Sequence, residues 1–381
     1  MGTRRTSAIL LGLTQLIGWA AFAGEAVTEL APADLKRVDT LIERFLAKHH
    51  VAGLSMAIAK DGRLVFAKGY GYADAENKVK VTTSSLFRIA SVSKPITSVA
   101  IFTLVEQHKL SLDDKVFGKT GILGEDFGLP MGFPGRGDMT VTHLLEHTGG
   151  GWASGDSDPN SKRRELPEDE FIRWVLANIE LQHRPGSVYA YSNFGYSLLG
   201  KVIEKQTGQS YEDFVRSNVL SGVGASNMYL GGDLRSQRRP EEVVYYPDAD
   251  GSSPYGIEMW RKGAHGGWIA SAVDLLRFLV RVDGFPTKPD ILGRATIAKM
   301  TRPSFVNPNY AKGWRVNSEK NWWHGGVLPG TFAFVVRSHS GFCWSILMNQ
   351  RQSTRAFEVD VDQLGWEILG QVKSWPPYDL F

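Results

Sequence analysis

The first part of the chain has a helical and then a strand-like pattern of apolar residues. Between residues 32 and 49, apolar side chains recur at helical spacing, at Leu35, Val38, Leu41, Ile42, Phe45 and Leu46. Two apolar runs follow, Leu54 to Ala59 and Leu64 to Gly71, with Asp61-Gly62 between them. An Asp-Gly pair between apolar runs is a strong hairpin signal. We therefore predict a helix over 32–49 and a β-hairpin after it.

The middle of the chain, from about 97 to 260, is predicted to be mostly helices and long loops. Helix signals are a start near Ser91, Thr142–His147 before three glycines, Ser197–Gln206 before Gly208, and capping-box-like starts at Ser210 and Ser271. The last third returns to strands, with a predicted hairpin of Phe332–Val336 and Phe342–Met348. A helix over about 356–375 is predicted to close the chain.

This order of elements predicts an α+β fold. We expect one antiparallel sheet built from both ends of the chain, flanked by helices, with a mostly helical lobe inserted. The sheet domain is predicted to comprise residues 24–96 and 261–381, and the lobe residues 97–260. We expect the active site to lie between the two.

Composition and charge exclude some classes of partner. The chain has 381 residues with 43% hydrophobic and 22% charged residues, which is ordinary for a globular protein. Its formal net charge is only +3, and the sequence contains no basic stripe. We therefore expect no nucleic-acid partner.

The N-terminus has the pattern of a secretory signal peptide. Arg4 and Arg5 precede an apolar stretch, Ala8 to Phe22, which ends in Ala21-Phe22-Ala23. We predict that residues 1–23 are cleaved after Ala23 and that the mature protein is periplasmic or secreted, without a stable membrane anchor. The alternative is an uncleaved anchor, although Thr14 and Gln15 interrupt the apolar core.

The chain contains a single cysteine, Cys343, so no internal disulfide can form. It lies in the apolar run that we predict as the last strand. The expected role of Cys343 is therefore packing in the core and not catalysis.

Ser91-Val92-Ser93-Lys94 places a serine and a lysine three residues apart where a helix is predicted to begin. Residues three apart lie on the same side of a helix, so the hydroxyl and the amine are expected to meet. Serine is a weak nucleophile that needs a neighbouring base, and lysine serves as one only when its pKa is lowered. Pro95 is compatible with the first turn of a helix. The spacing therefore predicts nucleophilic catalysis by Ser91.

Two other segments carry candidate groups, although each alone is also typical of packing or of a turn. If Tyr191-Ser192-Asn193 is extended, its phenol and its amide point the same way and suit proton transfer and substrate holding. In His324-Gly325-Gly326, the glycines allow a ligand to approach the backbone closely. The N–H of Val327 is placed to pair with that of Ser91 as an oxyanion hole, where one donor contributes roughly 3–4 kcal/mol.

Taken together, Ser91-x-x-Lys94, Tyr191-x-Asn193 and His324-x-Gly326 resemble the serine β-lactamase and penicillin-binding DD-peptidase superfamily. The Y-x-N form is similar to the class C β-lactamase-related branch, which also holds DD-carboxypeptidases, D-aminopeptidases and family VIII-type carboxylesterases. The resemblance covers roughly residues 35–370. Other segments that carry it are Phe87–Ala90, His143–Gly150, Pro185-Gly186 and Gly266-Gly267.

The resemblance implies a role for each matching residue. Ser91 is the nucleophile, Lys94 the base or its electrostatic partner, Tyr191 the proton shuttle, and Asn193 the residue that holds the substrate amide carbonyl. His324 takes the place of the lysine in the third motif. No cofactor and no metal are implied.

The third motif departs from the Lys-Thr-Gly form. A histidine near its ordinary pKa is mostly neutral at pH 7, so His324 offers less positive charge to a substrate carboxylate. Gly325 also lacks the hydroxyl that would bind it. Asn349 and Arg351, just after the last strand, are expected to compensate. The pattern favours the DD-peptidase, D-aminopeptidase and esterase members over a dedicated β-lactamase.

The sequence thus predicts an exported serine hydrolase that cleaves an ester or amide of a small-molecule or peptide substrate through an acyl-serine. D-amino peptides of the cell-wall peptidoglycan, short esters and β-lactams all fit. One alternative is a non-catalytic peptidoglycan-binding or scaffold member of the same fold. A remote alternative is a zinc hydrolase, because His143-Leu144-Leu145-Glu146-His147 matches H-x-x-E-H.

Overall fold

The computed structural model describes residues 26–155 and 158–381. The predicted signal peptide, residues 1–23, lies outside the described residues. Within the described ranges, no helix has both the length and the apolar character needed to span a membrane.

The described residues include eleven β-strands and ten α-helices. The strands are β1 Val27–Thr28, β2 Gly53–Lys60, β3 Arg63–Asp74, β4 Val79–Lys80, β5 Phe87–Arg88, β6 Tyr229–Leu230, β7 Trp268–Ala270, β8 Arg315–Val316, β9 Trp322–Leu328, β10 Thr331–Arg337 and β11 Phe342–Met348. The α-helices are α1 Pro32–His49, α2 Ser93–Glu106, α3 Val141–Leu145, α4 Glu168–Asn178, α5 Asn193–Thr207, α6 Tyr211–Val215, α7 Met259–Gly266, α8 Ala272–Leu279, α9 Arg294–Met300 and α10 Arg355–Gln371.

The main sheet joins both ends of the chain. Its strand order is β1-β3-β2-β11-β10-β9-β8, with β4 paired to β3, and every pairing is antiparallel. The predicted α+β fold is therefore confirmed, including a sheet built from the two ends of the chain. A second, small sheet has the order β5-β7-β6, and its strand β5 directly precedes the nucleophile segment. The predicted bounds of the two domains stay a prediction.

The two faces of the main sheet carry different side chains because successive residues in a strand point to opposite faces. On β2, Met56 and Ile58 belong to the core under α1 and α10, whereas Ala57 and Ala59 belong to the larger core on the opposite face. On that opposite face the Ser345 hydroxyl donates to the carbonyl of Ala272 in α8 over 2.8 Å. Small side chains therefore leave room for α8 to lie directly on the sheet.

Several predicted elements are confirmed with small shifts of their ends. The helix predicted over 32–49 is α1, and the hairpin around Asp61-Gly62 is the β2–β3 pair. The predicted C-terminal helix is α10, which ends at Gln371, four residues before the predicted end. The sequence did not indicate β9, because two glycines interrupt its apolar pattern and glycine is unfavourable inside strands.

Helix α10 offers a sharp test of how closely it packs on the sheet. A Cβ added to Gly365 would lie 2.4 Å from the indole nitrogen of Trp344, whereas a Cβ added to Gly370 would meet nothing within 4 Å. We expect Gly365→Ala to lower the free energy of unfolding by about 1–3 kcal/mol through overpacking. The matched control, Gly370→Ala, is expected to raise it by up to about 1 kcal/mol, because alanine favours the helix. Urea denaturation of both variants measures these changes, and equal effects would contradict this packing.

Candidate active site

Ser91 lies in a tight turn between the small sheet and α2. The residues Ala90–Val92 form a 3-10 turn, and the α-helix begins at Ser93, two residues after the predicted start. Ala90 adopts φ 47°, a left-handed conformation that is uncommon for a residue with a Cβ. The turn places Ser91 at the N-terminal end of α2, where backbone N–H groups lack helical acceptors.

Lys94 is fully buried one helical turn after Ser91, at 0% exposure. Its Nζ lies 3.1 Å from Ser91 Oγ, 2.8 Å from Asn193 Oδ1 and 3.0 Å from the backbone carbonyl of His265. Burial lowers the pKa of Lys94 well below its ordinary value, and nearby Lys262 adds to this while Asp158 opposes it. The buried site therefore favours the neutral amine over the charged one.

The three neighbours of Lys94 match the hydrogen-bonding capacity of a neutral amine. A neutral amine has two N–H groups and one lone pair, whereas an ammonium has three donors and no acceptor. Asn193 Oδ1 and the His265 carbonyl can only accept, so they take both N–H groups. The lone pair then remains for the hydroxyl proton of Ser91. This arrangement meets the geometric requirement for a general base.

Tyr191 lies over the same amine. The Lys94 Nζ is 4.7 Å from the centre of the Tyr191 ring. Burial raises the pKa of Tyr191, and the neighbouring Ser91 hydroxyl opposes this shift only in part. Tyr191 is therefore a protonated phenol at neutral pH, suited to donate a proton.

Asn193 reaches the site from a helix, whereas the sequence analysis had considered an extended segment. Ser192 is the N-cap of α5, its hydroxyl accepts from Gly195 N–H over 3.0 Å, and Asn193 is the first helical residue. Asn193 Nδ2 donates to Asp158 Oδ2 over 2.9 Å while its Oδ1 contacts Lys94. Both ends of the amide are thus engaged in the free protein.

Asp158 is a site residue that the sequence analysis missed. It lies in a lobe loop 35 residues before Asn193, and the contact depends on the fold. Its other carboxylate oxygen accepts from the backbone N–H and the side-chain amide of Asn160. No spacing pattern in the sequence signals such a loop residue.

Strand β9 brings the third motif against the nucleophile turn. A Cβ on Gly326 would lie 2.1 Å from the Ile89 carbonyl oxygen and 3.0 Å from the Ser91 nitrogen, so only glycine fits. Val327, the next residue, is 40% exposed and lines the cleft together with Ala90 and Ser91. Ser91 and Val327 therefore line the same cleft, and the oxyanion hole formed by their N–H groups stays a prediction.

His324 lies behind the cleft and not at its surface. Its side chain is buried, with 2% of the residue exposed. Its Nε2 lies 3.2 Å from the Tyr310 hydroxyl and its Nδ1 lies 2.8 Å from the Gly325 carbonyl. Burial lowers the pKa of His324 well below its ordinary value, so the ring is neutral. The structure does not bring the His324 ring to a position where it could contact a substrate carboxylate directly.

The two residues expected to compensate for the altered third motif have other contacts. Asn349 is 0% exposed, and its Nδ2 donates to the carbonyls of Tyr72 at 3.0 Å and Val244 at 2.8 Å. Arg351 pairs with Asp248 at 2.5 Å and donates to the Leu328 carbonyl at 3.2 Å. The expectation that Asn349 binds a carboxylate is corrected, because its amide tethers two backbone segments. Arg351 supports the end of β9 from outside the cleft.

The cleft beside Ser91 has a volume of 810 Å³. Four charged residues are part of its lining, namely Asp158, Arg164, Glu258 and Lys262. Arg164 and Glu258 form an ion pair there. The cleft is therefore suited to polar groups.

The zinc alternative is not supported by the contacts of its residues. Among the described residues, no group of three or more His, Cys, Asp or Glu side chains is arranged to hold a metal ion. His143 Nδ1 accepts the Thr140 N–H at 3.1 Å, and His147 Nδ1 accepts the Ser192 N–H at 3.0 Å. Glu146 forms an ion pair with Lys312 at 2.5 Å. Each residue of the H-x-x-E-H pattern is thus used within the protein.

Comparison with curated proteins gives distant relatives over most of the chain. Protein flp from Staphylococcus aureus (strain MRSA252) is 27% identical over 311 residues, which is 79% of this chain and 60% of flp. The chain therefore spans about three fifths of the length of that relative. Penicillin-binding protein 4* from Bacillus subtilis (strain 168) is 27% identical over 371 residues, 91% of this chain and 77% of that protein.

Comparison with solved structures and with family models gives the same result. The D-amino acid amidase from Ochrobactrum anthropi SV3, complexed with L-phenylalanine amide, has a similar fold with a TM-score of 0.72 at 23% identity. The similarity covers 90% of this chain and 99% of the amidase. The family model described as Beta-lactamase matches residues 38–364. The chain therefore belongs to the Beta-lactamase family of the serine β-lactamase and penicillin-binding protein superfamily.

Proposed function

We propose that this protein is an exported serine hydrolase that cleaves an ester or amide through an acyl-serine intermediate. The observation that carries the proposal is the buried Lys94 amine, 3.1 Å from Ser91 Oγ. A buried amine with a lowered pKa is the form of lysine that can accept a proton from serine.

The two candidate bases take different roles in this proposal. The pKa of Lys94 is lowered by burial, so its amine is free to accept the Ser91 proton. The pKa of Tyr191 is raised by burial, so its phenol keeps its proton at neutral pH. Lys94 therefore acts as the base, and Tyr191 passes a proton toward the leaving group.

The proposed reaction has two steps, acylation of Ser91 and hydrolysis of the acyl-serine. Ser91 Oγ bonds to the carbonyl carbon, the bond to the leaving oxygen or nitrogen breaks, and the Ser91 proton reaches that atom through Lys94 and Tyr191. Water attacks the acyl-serine, releases the acid and returns a proton to Ser91. In this proposal the N–H groups of Ser91 and Val327, two residues that line the same cleft, stabilise the oxyanion in both steps.

Substrates with polar acyl groups are favoured by the cleft. Asp158 and Lys262 line the cleft together with Asn193 and are suited to bind charged or amide groups. A D-amino acid amidase and a penicillin-binding protein are among the similar proteins, which supports D-amino amides and D-amino peptides such as peptidoglycan stems. Short esters and β-lactams remain within the proposal.

The central test is formation of the acyl adduct at Ser91. We expect intact-mass spectrometry to detect an adduct on the wild type after exposure to a penicillin or a p-nitrophenyl ester. Ser91→Ala is expected to fold normally and to form none, because it lacks the attacking oxygen. A D-alanyl-D-alanine peptide and a D-amino amide, tested for turnover in parallel, define the substrate class.

The outcomes of this test separate the competing functions. An adduct on Ser91→Ala would refute Ser91 as the nucleophile. Absence of adduct and turnover in the wild type with every substrate would instead support a non-catalytic peptidoglycan-binding member of the fold.

The second test is the pH dependence of acylation. Because a neutral Lys94 accepts the proton, activity is expected to fall as pH falls through the lowered pKa of Lys94 and the amine becomes charged. Lys94→Ala is expected to lose about 100-fold or more in acylation rate. Lys205→Ala, which changes an exposed lysine paired with Asp126, is the control and is expected to retain the wild-type profile. Rates are measured by the burst of p-nitrophenol, and a wild-type rate that rises toward acid would contradict the role.

Export is the third part of the proposal, and it rests on residues 1–23. We expect the mature protein, expressed with its own N-terminus in a Gram-negative host, to begin at Gly24. The measurement is the intact mass of the periplasmic fraction. Recovery of the full-length chain in the membrane fraction would support an uncleaved anchor instead.

A further inference from the structure

A continuous row of polar groups runs behind Tyr191 and connects the second motif to the third. Ser192 N–H donates to His147 Nδ1 over 3.0 Å, and His147 Nε2 lies 3.0 Å from the Tyr310 hydroxyl. The same hydroxyl lies 3.2 Å from His324 Nε2, and His324 Nδ1 lies 2.8 Å from the Gly325 carbonyl. All three side chains are buried, with 1–2% of each residue exposed.

The proton positions along this row follow from its two ends. A backbone N–H can only donate, so His147 Nδ1 accepts and its single ring proton is on Nε2. Tyr310 therefore accepts from His147 and donates its own proton to His324 Nε2. The remaining proton of His324 is then on Nδ1 and is donated to the Gly325 carbonyl, which can only accept. Burial lowers the pKa of both histidines, which agrees with neutral rings.

The row crosses the interface between the lobe and the sheet. His147 follows α3, Tyr310 lies between α9 and β8, and His324 lies on β9. The segment that holds Tyr310 is anchored from both sides by Glu146. Its carboxylate pairs with Lys312 at 2.5 Å and accepts from the Ser304 hydroxyl at 2.8 Å.

His147 also fixes Tyr191 itself. Its backbone carbonyl accepts from Ala190 N–H over 2.8 Å, so His147 binds the chain on both sides of Tyr191. The His147 ring lies 4.2 Å from the Tyr191 ring, measured between centroids. His147 thus holds Tyr191, while His324 at the other end of the row holds the backbone next to Gly326.

We propose that His147, Tyr310 and His324 form a positioning relay that sets the distance between Tyr191 and the oxyanion-binding backbone of β9. The inference rests on the proposed function, since it concerns the alignment of groups for that reaction. None of the three residues contacts the substrate in this proposal. They are positioning residues, and Tyr310 is the link on which both histidines depend.

Tyr310→Phe tests the relay, because it removes one acceptor and one donor while keeping the ring. The matched control is Tyr211→Phe, another buried tyrosine whose hydroxyl contacts two groups, Thr97 Oγ1 at 2.7 Å and Trp268 Nε1 at 2.9 Å. We expect Tyr310→Phe to lower kcat for a p-nitrophenyl ester by about 100-fold, as a misalignment near 1 Å does, with little change in KM. Tyr211→Phe is expected to keep kcat within about twofold at a similar loss of thermal stability.

A second measurement tests the relay through the tautomers of its histidines and does not require turnover of a substrate. In the wild-type enzyme labelled with ¹⁵N-histidine, NMR is expected to show His324 as the Nδ1–H tautomer and His147 as the Nε2–H tautomer. The two resonances are assigned by their loss in the His324→Gln and His147→Gln variants. In Tyr310→Phe the His324 proton is expected to stay on Nδ1, held by the Gly325 carbonyl, while the ¹⁵N resonance of Nε2 shifts because this nitrogen loses its hydrogen-bond donor.

A conservative pair of variants keeps the proposal testable even if Tyr310→Phe fails to fold. His324→Gln retains an amide oxygen that can accept from the Tyr310 hydroxyl, whereas His324→Leu retains no acceptor. We expect the Gln variant to keep at least tenfold more activity than the Leu variant, a difference that corresponds to about one hydrogen bond. Equal activity of these two variants, equal kcat of Tyr310→Phe and Tyr211→Phe, or an Nε2–H tautomer at wild-type His324 would each overturn the relay. If the wild type turns over no substrate, the proposed function fails, and the tautomers alone decide whether the relay exists.

Discussion

The chemistry of this protein depends on one buried amine. Lys94 is held by two groups that can only accept and by one hydroxyl that can accept or donate, so the site can hold a neutral amine whose lone pair accepts from Ser91. Among the described residues, no carboxylate hydrogen-bonds to Lys94, and a charged lysine at 0% exposure would carry a large desolvation cost. Burial therefore favours the neutral amine, which is the form that the proposed mechanism requires.

The lobe and the sheet meet around this amine, and each supplies part of its surroundings. Asn193 and Asp158 belong to the lobe, whereas β9 belongs to the sheet. Residues that a short pattern could assign to zinc instead join the two parts. Glu146 fixes the segment of Tyr310 through Lys312, and His147 reaches His324 through Tyr310. The positions of the proposed catalytic groups thus depend on how the lobe packs against the sheet.

Local patterns in the sequence were sufficient for part of the structure and of the site. Helical spacing defines α1, Asp61-Gly62 defines the β2–β3 hairpin, and three-residue spacing brings Ser91 to Lys94. These features depend on neighbours in the chain, so a pattern can reveal them. The register of β9 on β10 and the contact of Gly326 with the nucleophile turn depend on pairing between distant segments. The same is true of Asp158, whose loop carries no periodic signal, and this is why it was missed.

The sequence pattern also could not predict in which direction individual polar side chains point. Asn349 follows a strand at the edge of the site, and its polarity suggested a ligand contact. In the fold its amide joins the backbones at Tyr72 and Val244, which are 277 and 105 residues away in sequence. His324 likewise turns toward Tyr310 and away from the cleft. A polar residue beside an active site can therefore serve its scaffold instead of its substrate.

The close approach at Gly326 has a consequence for how such an enzyme can diversify. Because a single methyl group there would collide with the carbonyl of Ile89, the reaction centre tolerates almost no drift at this point of the strand. Val327 and Lys262 of α7 have more room, since Val327 is 40% exposed and Lys262 lines the open cleft. Substitutions that change substrate specificity are therefore expected at positions such as Val327 and Lys262, while Gly326 stays glycine.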